Sequence, residues 1–323
     1  MPITTRLTEK LGIAHPIILA PMGVAAGGKL AAAVTNAGGL GLIGVGYGGQ
    51  DWIEQQFGAA GNVGVGVGFI TWRLAESPQL LDVALSYKPS AVCLSFGDPR
   101  PFAPAIQEAG ARLICQVQNL SDARLAVEAK AEIIVAQGGE AGGHGESRAT
   151  LTLVPEIADL LGETAPETLL CAAGGIADGR GLAAALMLGA DGVLVGTRLW
   201  ASREANVHPN MHNAALIADG DATIRTKVMD IVRQYDWPGR YTVRVLRNKF
   251  IECWHGNEEA LTQSVEAEQP KWHRAWAEGD VEGSNTVVGE GVGLIRSIEA
   301  AATIIEQMVV DAEKRIREGA AMS

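Results

Sequence analysis

Basic residues are in the minority in this 323-residue chain: 26 Lys and Arg stand against 37 Asp and Glu, for a net charge of −11. A surface that grips a nucleic-acid backbone clusters lysine and arginine, so nucleic acid is not an expected partner. Long apolar runs are missing too. None approaches the roughly 20 residues of a membrane span, and the opening MPITTR lacks the apolar core of a signal peptide, so no membrane association and a cytoplasmic location are expected. Cysteine is scarce, with four in the chain and no C-x-x-C pair. Cys93, Cys115 and Cys171 lie in apolar, strand-like segments and Cys253 stands apart, which reads as free thiols without chemistry. No metal is expected either. His208 and His212 have the i, i+4 spacing of helical ligands but no third ligand nearby, and Pro209 marks a helix start.

Glycine, by contrast, is abundant, with 40 residues, and a hydrophobic share of 47% beside 20% charged residues is globular composition. Eight short apolar runs, at 16–20, 39–45, 63–69, 91–95, 113–117, 133–136, 169–173 and 192–195, read as strands. Alanine-rich amphipathic segments between them, such as 29–37, 101–109, 122–129 and 181–188, read as crossover helices. Eight such units in about 200 residues predict an α/β fold of the (β/α)8 TIM-barrel type, because open doubly wound sheets more often stop at five to seven strands. From about residue 204 the pattern changes. We expect a barrel formed by 1–204 plus 289–323 and an inserted, mainly helical cap at 205–288. Residues 291–318, with Leu294, Ile298, Ala301, Ile305 and Met308 at helical spacing, are expected to close the barrel. Trp237, Trp254, Trp272 and Trp276 fall in the cap, where tryptophan is more often core than cleft. Trp254 and Tyr241 are the two with a functional reading.

A barrel's active site lies at the carboxyl ends of its strands, and the glycine-rich turns fall there. The hexapeptide GLGLIG at 39–44 matches a dinucleotide fingerprint, but its glycines lie inside a strand and no acidic residue ends the next one, so they are read as packing glycines. The turns after the seventh and eighth strands are different. Small side chains at Gly174, Gly175, Gly196 and Thr197 expose backbone N–H groups that suit a phosphate; two ordinary tight turns are the bland alternative. After the sixth strand comes QGGEAGGHG at 137–145. Glycines there let a backbone press on a flat ligand and place one imidazole, His144, beside it, which makes His144 the leading catalytic candidate.

Together, APM at 20–22, NAGG at 36–39, the 137–145 segment, AGGIADGRG at 173–181, GTR at 196–198 and GEGVG at 289–293 resemble the nitronate monooxygenase family, formerly called 2-nitropropane dioxygenase. The resemblance runs in order through residues 1 to about 320. It implies an FMN-dependent oxidoreductase that converts alkyl nitronates or nitroalkanes and O2 to a carbonyl compound and nitrite. It further implies FMN phosphate at Gly174, Gly175, Gly196 and Thr197, the flavin ring against Ala20, Pro21 and Met22, Gln116 and Gln137 on the ring or ribityl chain, Ala141, Gly142 and Gly143 also binding the cofactor, and His144 on the ring's reactive side. Gln116 replaces a lysine of some members, so stabilisation of a reduced flavin would fall on backbone dipoles, and Gly291 replaces a serine that helps orient substrate. Two further readings stand beside this one. The first is an FMN enzyme taking hydride from NAD(P)H to reduce a quinone or enoyl thioester, and the second a non-catalytic barrel that binds a phosphorylated metabolite. A homodimer is compatible with each.

Overall fold

The computed structural model describes residues 3–321. Strands β1 (Ile17–Leu19), β2 (Leu42–Gly46), β3 (Gly66–Ile70), β4 (Ala91–Ser95), β5 (Arg112–Val117) and β6 (Ile133–Gln137) come first. A short β7 (Gly143–Gly145) joins a different sheet, and β8 (Leu169–Ala173) and β9 (Gly192–Val195) complete the first set. The eight strands of the first set pair in parallel in the order β1-β9-β8-β6-β5-β4-β3-β2. The ends meet: Leu19 N donates to Leu40 O at 2.9 Å and Leu40 N to Ile17 O at 3.0 Å, joining β1 to the residues that lead into β2. All eight runs expected from the sequence are strands of this TIM barrel.

Two layers of apolar side chains hold it. Inside, Ile18, Leu42, Cys93, Ile114, Ile133, Val135, Cys171 and Leu194 fill the barrel. Outside, alternate residues such as Val67, Val92, Leu113, Ile134 and Val193 pack on the helices, including Gly28–Asn36, Leu120–Glu128 and Gly179–Met187. This inside–outside alternation follows from the two-residue period of a strand covered on both faces. The cysteines obey it: Cys93, Cys115 and Cys171 are buried free thiols, and burial pushes Cys93 up to about 12. The fingerprint glycines pack as expected, since a Cβ on Gly44 would lie 2.4 Å from the Met22 carbonyl oxygen.

The chain beyond β9 departs from expectation in two places. The closing helix spans Ala301–Ala320, and residues 291–294 belong to a 3-10 turn, Glu290–Leu294. Leu294 and Ile298 therefore match the helical period without being in the helix; glycines at 289, 291 and 293 cost a helix more than two well-spaced apolar residues return. The segment expected to be mainly helical also contains strands. Its helices Pro209–Ile217, Val228–Arg233, Lys249–Trp254 and Glu258–Glu278 are accompanied by β10 (Thr223–Thr226) and β11 (Thr242–Leu246). These pair antiparallel with each other, and β11 pairs with β7 in the order β10-β11-β7. No helix among the described residues is long and apolar enough to cross a membrane.

Candidate active site

One cavity of about 820 Å³ opens at the carboxyl ends of the strands and continues under the cap. Ala20, Pro21, Met22, Gln116, Gln137, Ala141, Gly142, Gly143, His144, Gly174, Gly175, Gly196 and Thr197 all line it, so the turns singled out in the sequence converge on one space. The aromatic-poor chain also concentrates its rings here, with five of its seven tryptophans on the wall.

The floor carries the glycines. Gly174 and Gly175 have φ of +106° and +72°, a backbone that a side chain would strain. A Cβ on Gly196 would meet nothing closer than Ala20 Cβ at 3.6 Å, so a longer side chain there would project into the cavity. Thr197 starts the short helix Thr197–Trp200, and its hydroxyl accepts from Gly289 N at 2.9 Å, which leaves the hydroxyl proton to donate. Gln116 is 9% exposed, and its amide has no hydrogen-bond partner among the described residues. Gln116 lines the cavity, so this amide is open to a ligand there. Gln137 behaves otherwise. It donates to His144 O at 3.0 Å and accepts from Gln118 at 2.8 Å, so its amide holds the backbone of His144.

His144 sits at the centre of β7 and pairs with Val243 of β11. The loop read from its glycines is thus one strand of the small sheet. Gly142 explains the sequence requirement: a Cβ there would lie 2.5 Å from the backbone of Val288 and Gly289. Two cap arginines pin the loop from outside. Arg225 donates to the carbonyls of Gly139 at 3.0 Å, Ala141 at 3.3 Å and Gly145 at 3.3 Å, and its cross-strand neighbour Arg244 donates to Gly139 O at 3.0 Å. Burial, aided by Arg244, lowers Arg225 to about 10.

The imidazole itself is tightly defined. Its Nε2 lies 2.9 Å from both carboxylate oxygens of Asp230, and its ring stacks on Trp237 with centroids 3.4 Å apart and planes 6° apart. Burial holds His144 below its ordinary range against the opposing pull of Asp230, while Arg233 and Arg225 add to the lowering. A neutral imidazole beside a carboxylate carries its proton on Nε2. Nδ1, with no hydrogen-bond partner among the described residues, then offers a lone pair at the cavity wall. Arg233 reaches Asp230 at 3.5 Å from the other side.

Asp230, Arg233, Tyr47 and Trp237 escaped the sequence reading. Trp237 was assigned to the cap core, and it is buried, but it forms the wall against His144. Trp254 does not line the cavity, and neither does Tyr241, which packs edge-on to Phe96 and Trp237 behind it. His208 caps the helix Pro209–Ile217, accepting from Asn210 N, and His212 lies 3.0 Å from Trp200 O, so each imidazole has a local partner.

A buried carboxylate–imidazole pair opening on a glycine-floored cavity at a barrel's strand ends is the equipment of an enzyme. A family model described as nitronate monooxygenase matches residues 4–66 and 67–311, and the chain belongs to that family of oxidoreductases. It is 35% identical over 329 residues to a nitronate monooxygenase of Metarhizium robertsii, covering 90% of this chain and 89% of that one. It is 28% identical over 349 residues to a hydroxy-methyl-oxo-octahydro-indene-carboxyl-CoA dehydrogenase of Rhodococcus jostii, covering 97% of both. Among solved structures, FabK from Thermotoga maritima superposes with a TM-score of 0.88 at 32% identity, covering 99% of this chain and 100% of that one. Membership of an enzyme family removes the non-catalytic reading.

Proposed function

We propose that this protein is an FMN-dependent enzyme that oxidises alkyl nitronates, and nitroalkanes after deprotonation, with O2 to a carbonyl compound and nitrite. In this reading residues 1–204 and 289–323 carry FMN, and 205–288 shape the substrate space. The observation that carries the reading is the state of His144: Nε2 held by Asp230 and Nδ1 free, at the wall of the cavity that the glycine turns floor.

The cavity lining supports that cofactor. Gly174, Gly175, Gly196 and Thr197 would hold the phosphate. The partnerless amide of Gln116 and the backbone of Ala20, Pro21 and Met22 would meet the ring, and Gln137 would act through its hold on His144. Bound there, FMN would supply electron transfer between the substrate and O2. The side chains do the rest. Nδ1 of His144 takes the α-proton of a neutral nitroalkane, and the positive charge that results is met by Asp230. A nitronate arrives without that proton and needs His144 only for orientation. Trp237, Trp272 and Trp276 line the substrate space with apolar surface.

The Rhodococcus relative, whose name places it on a CoA thioester, favours a second reading: an NAD(P)H-fed reductase of a quinone or enoyl thioester. Anaerobic titration of the purified protein with a nitronate, NADH and NADPH in parallel separates the two. Bleaching of the flavin band by the nitronate alone is the expected result, and bleaching only by a nicotinamide overturns the proposal. His144→Ala should retain FMN and lose most nitroalkane turnover, and an unchanged rate would remove the base assignment.

A further inference from the structure

Five side chains from three parts of the fold close on one another around the cavity. His144 is held by Asp230, and Asp230 is paired with Arg233 at 3.5 Å. Arg233 donates to the Tyr47 hydroxyl at 3.4 Å, Trp237 Nε1 donates to the same oxygen at 2.7 Å, and Trp237 stacks back on His144. Tyr47 comes from the turn after β2, while Asp230, Arg233 and Trp237 come from the cap.

Counting protons around this circuit leaves two groups unused. One is the His144 Nδ1 lone pair. The other is the Tyr47 O–H proton. The hydroxyl oxygen already accepts two N–H groups, and its own proton meets no acceptor among the described residues. Two donors about the oxygen, one of them the Arg233 guanidinium, and an open proton on it make this corner electron-poor. Tyr47 stays protonated, because burial raises its ionisation well above the ordinary phenol range. Rings fix the guanidinium: its carbon lies 4.5 Å from the Tyr235 centroid and 5.0 Å from that of Tyr47, and the two tyrosines stack at 3.9 Å. Charge on the cavity lining is one-sided, although Asp230, off the lining, lies 3.5 Å from the guanidinium. Arg233 is the single Arg or Lys among the cavity's described lining residues, and no Asp or Glu lines it.

We propose that Tyr47 and Arg233 form an oxyanion anchor that holds the acid oxygens of the substrate, a small organic anion such as a nitronate or an isosteric carboxylate, while His144 faces its α-carbon. The anchor rests on the nitronate reading for its substrate, and on the geometry of Tyr47 and Arg233 for its position. It accounts for why a cavity with an aromatic wall retains one fixed cation. It also separates two jobs, binding at Tyr47 and proton transfer at His144.

Tyr47→Phe removes one hydroxyl and keeps the ring stacked on Tyr235. The test compares calorimetric binding of isobutyrate and isobutyramide to the flavin-loaded wild type and variant, with KM and kcat for propane-2-nitronate. Loss of one hydrogen bond to an anion predicts roughly 10- to 100-fold weaker isobutyrate binding and a similar rise in KM. Isobutyramide affinity should hardly move, so the loss is selective for the anion. Unchanged isobutyrate affinity overturns the anchor. Equal weakening of both ligands also overturns it, since that marks collapse of Trp237 and His144 after the loss of the Tyr47 oxygen. If isobutyrate weakens selectively but the wild type oxidises no nitronate, the anchor stands and the nitronate reading falls.

Discussion

Asp230 touches no cavity surface, yet replacing it should change which substrates the enzyme can use. The carboxylate lies 2.9 Å from His144 Nε2 through both oxygens, with both side chains buried. It favours the tautomer that leaves Nδ1 unprotonated, and in the proposed mechanism it would stabilise the cation formed when Nδ1 takes a proton. Asp230→Asn keeps the shape and removes the charge. A hydrogen bond to a charged group contributes about 1.5–3 kcal/mol, equivalent to roughly 10- to 150-fold in rate if it is realised in the transition state. An amide can also turn its NH2 toward Nε2, which favours the tautomer with the proton on Nδ1 and withdraws the base. Turnover of neutral nitroalkanes should therefore fall by at least about 10-fold, while turnover of preformed nitronates should be nearly spared. Direction in pH follows as well. Asp230 opposes the lowering of His144, so its loss lowers the imidazole further, and the acid limb of kcat/KM for nitroalkanes should move to lower pH. Nitrite release measured against pH with both substrate forms reads all of this. An equal loss for nitroalkane and nitronate, or an acid limb that stays in place, would refute the assignment of Asp230 as the residue that positions the base.

Trp237→Ala should act on the same imidazole with the opposite sign: burial is the largest cause of its lowering, so uncovering the ring raises it and moves the acid limb upward; a pH profile with unchanged position would show that Trp237 does not shield it. Gly196→Leu should fold, since its Cβ has 3.6 Å of clearance, but the side chain would enter the cavity and exclude the flavin; retention of a full flavin absorbance band in a variant with wild-type circular dichroism would contradict that placement.

The barrel was legible because each of its strands is a local apolar run and each crossover helix a local period, and neither depends on a distant partner. The glycine turns were legible for a related reason: Gly174 and Gly175 need their backbone conformation whatever surrounds them. Asp230 and Trp237 were not. Their importance comes from contact with His144, 86 residues away in sequence for Asp230, and an acidic residue on a short helix looks like any solvated one. β7 was hidden because Gly-His-Gly has no strand propensity of its own and takes its conformation from the edge that β11 offers. The start of the closing helix was misplaced because Leu294 and Ile298 fit a 3.6-residue period by spacing alone, while the glycines that break it were read as part of a motif.

The pairing of β7 with β11 has a consequence for how the enzyme can breathe. His144 lies on a barrel loop by sequence and in the cap's sheet by hydrogen bonding, with Gly143, His144 and Gly145 set against Arg244, Val243 and Thr242. A cap that swung away as a lid would either carry the imidazole with it or tear it from the sheet, and would take Asp230 and Trp237 along. The open form is thereby disarmed. In the proposed mechanism proton abstraction would require the sheet to be intact, with substrate and product passing through the mouth of the cavity and not under a lifted roof.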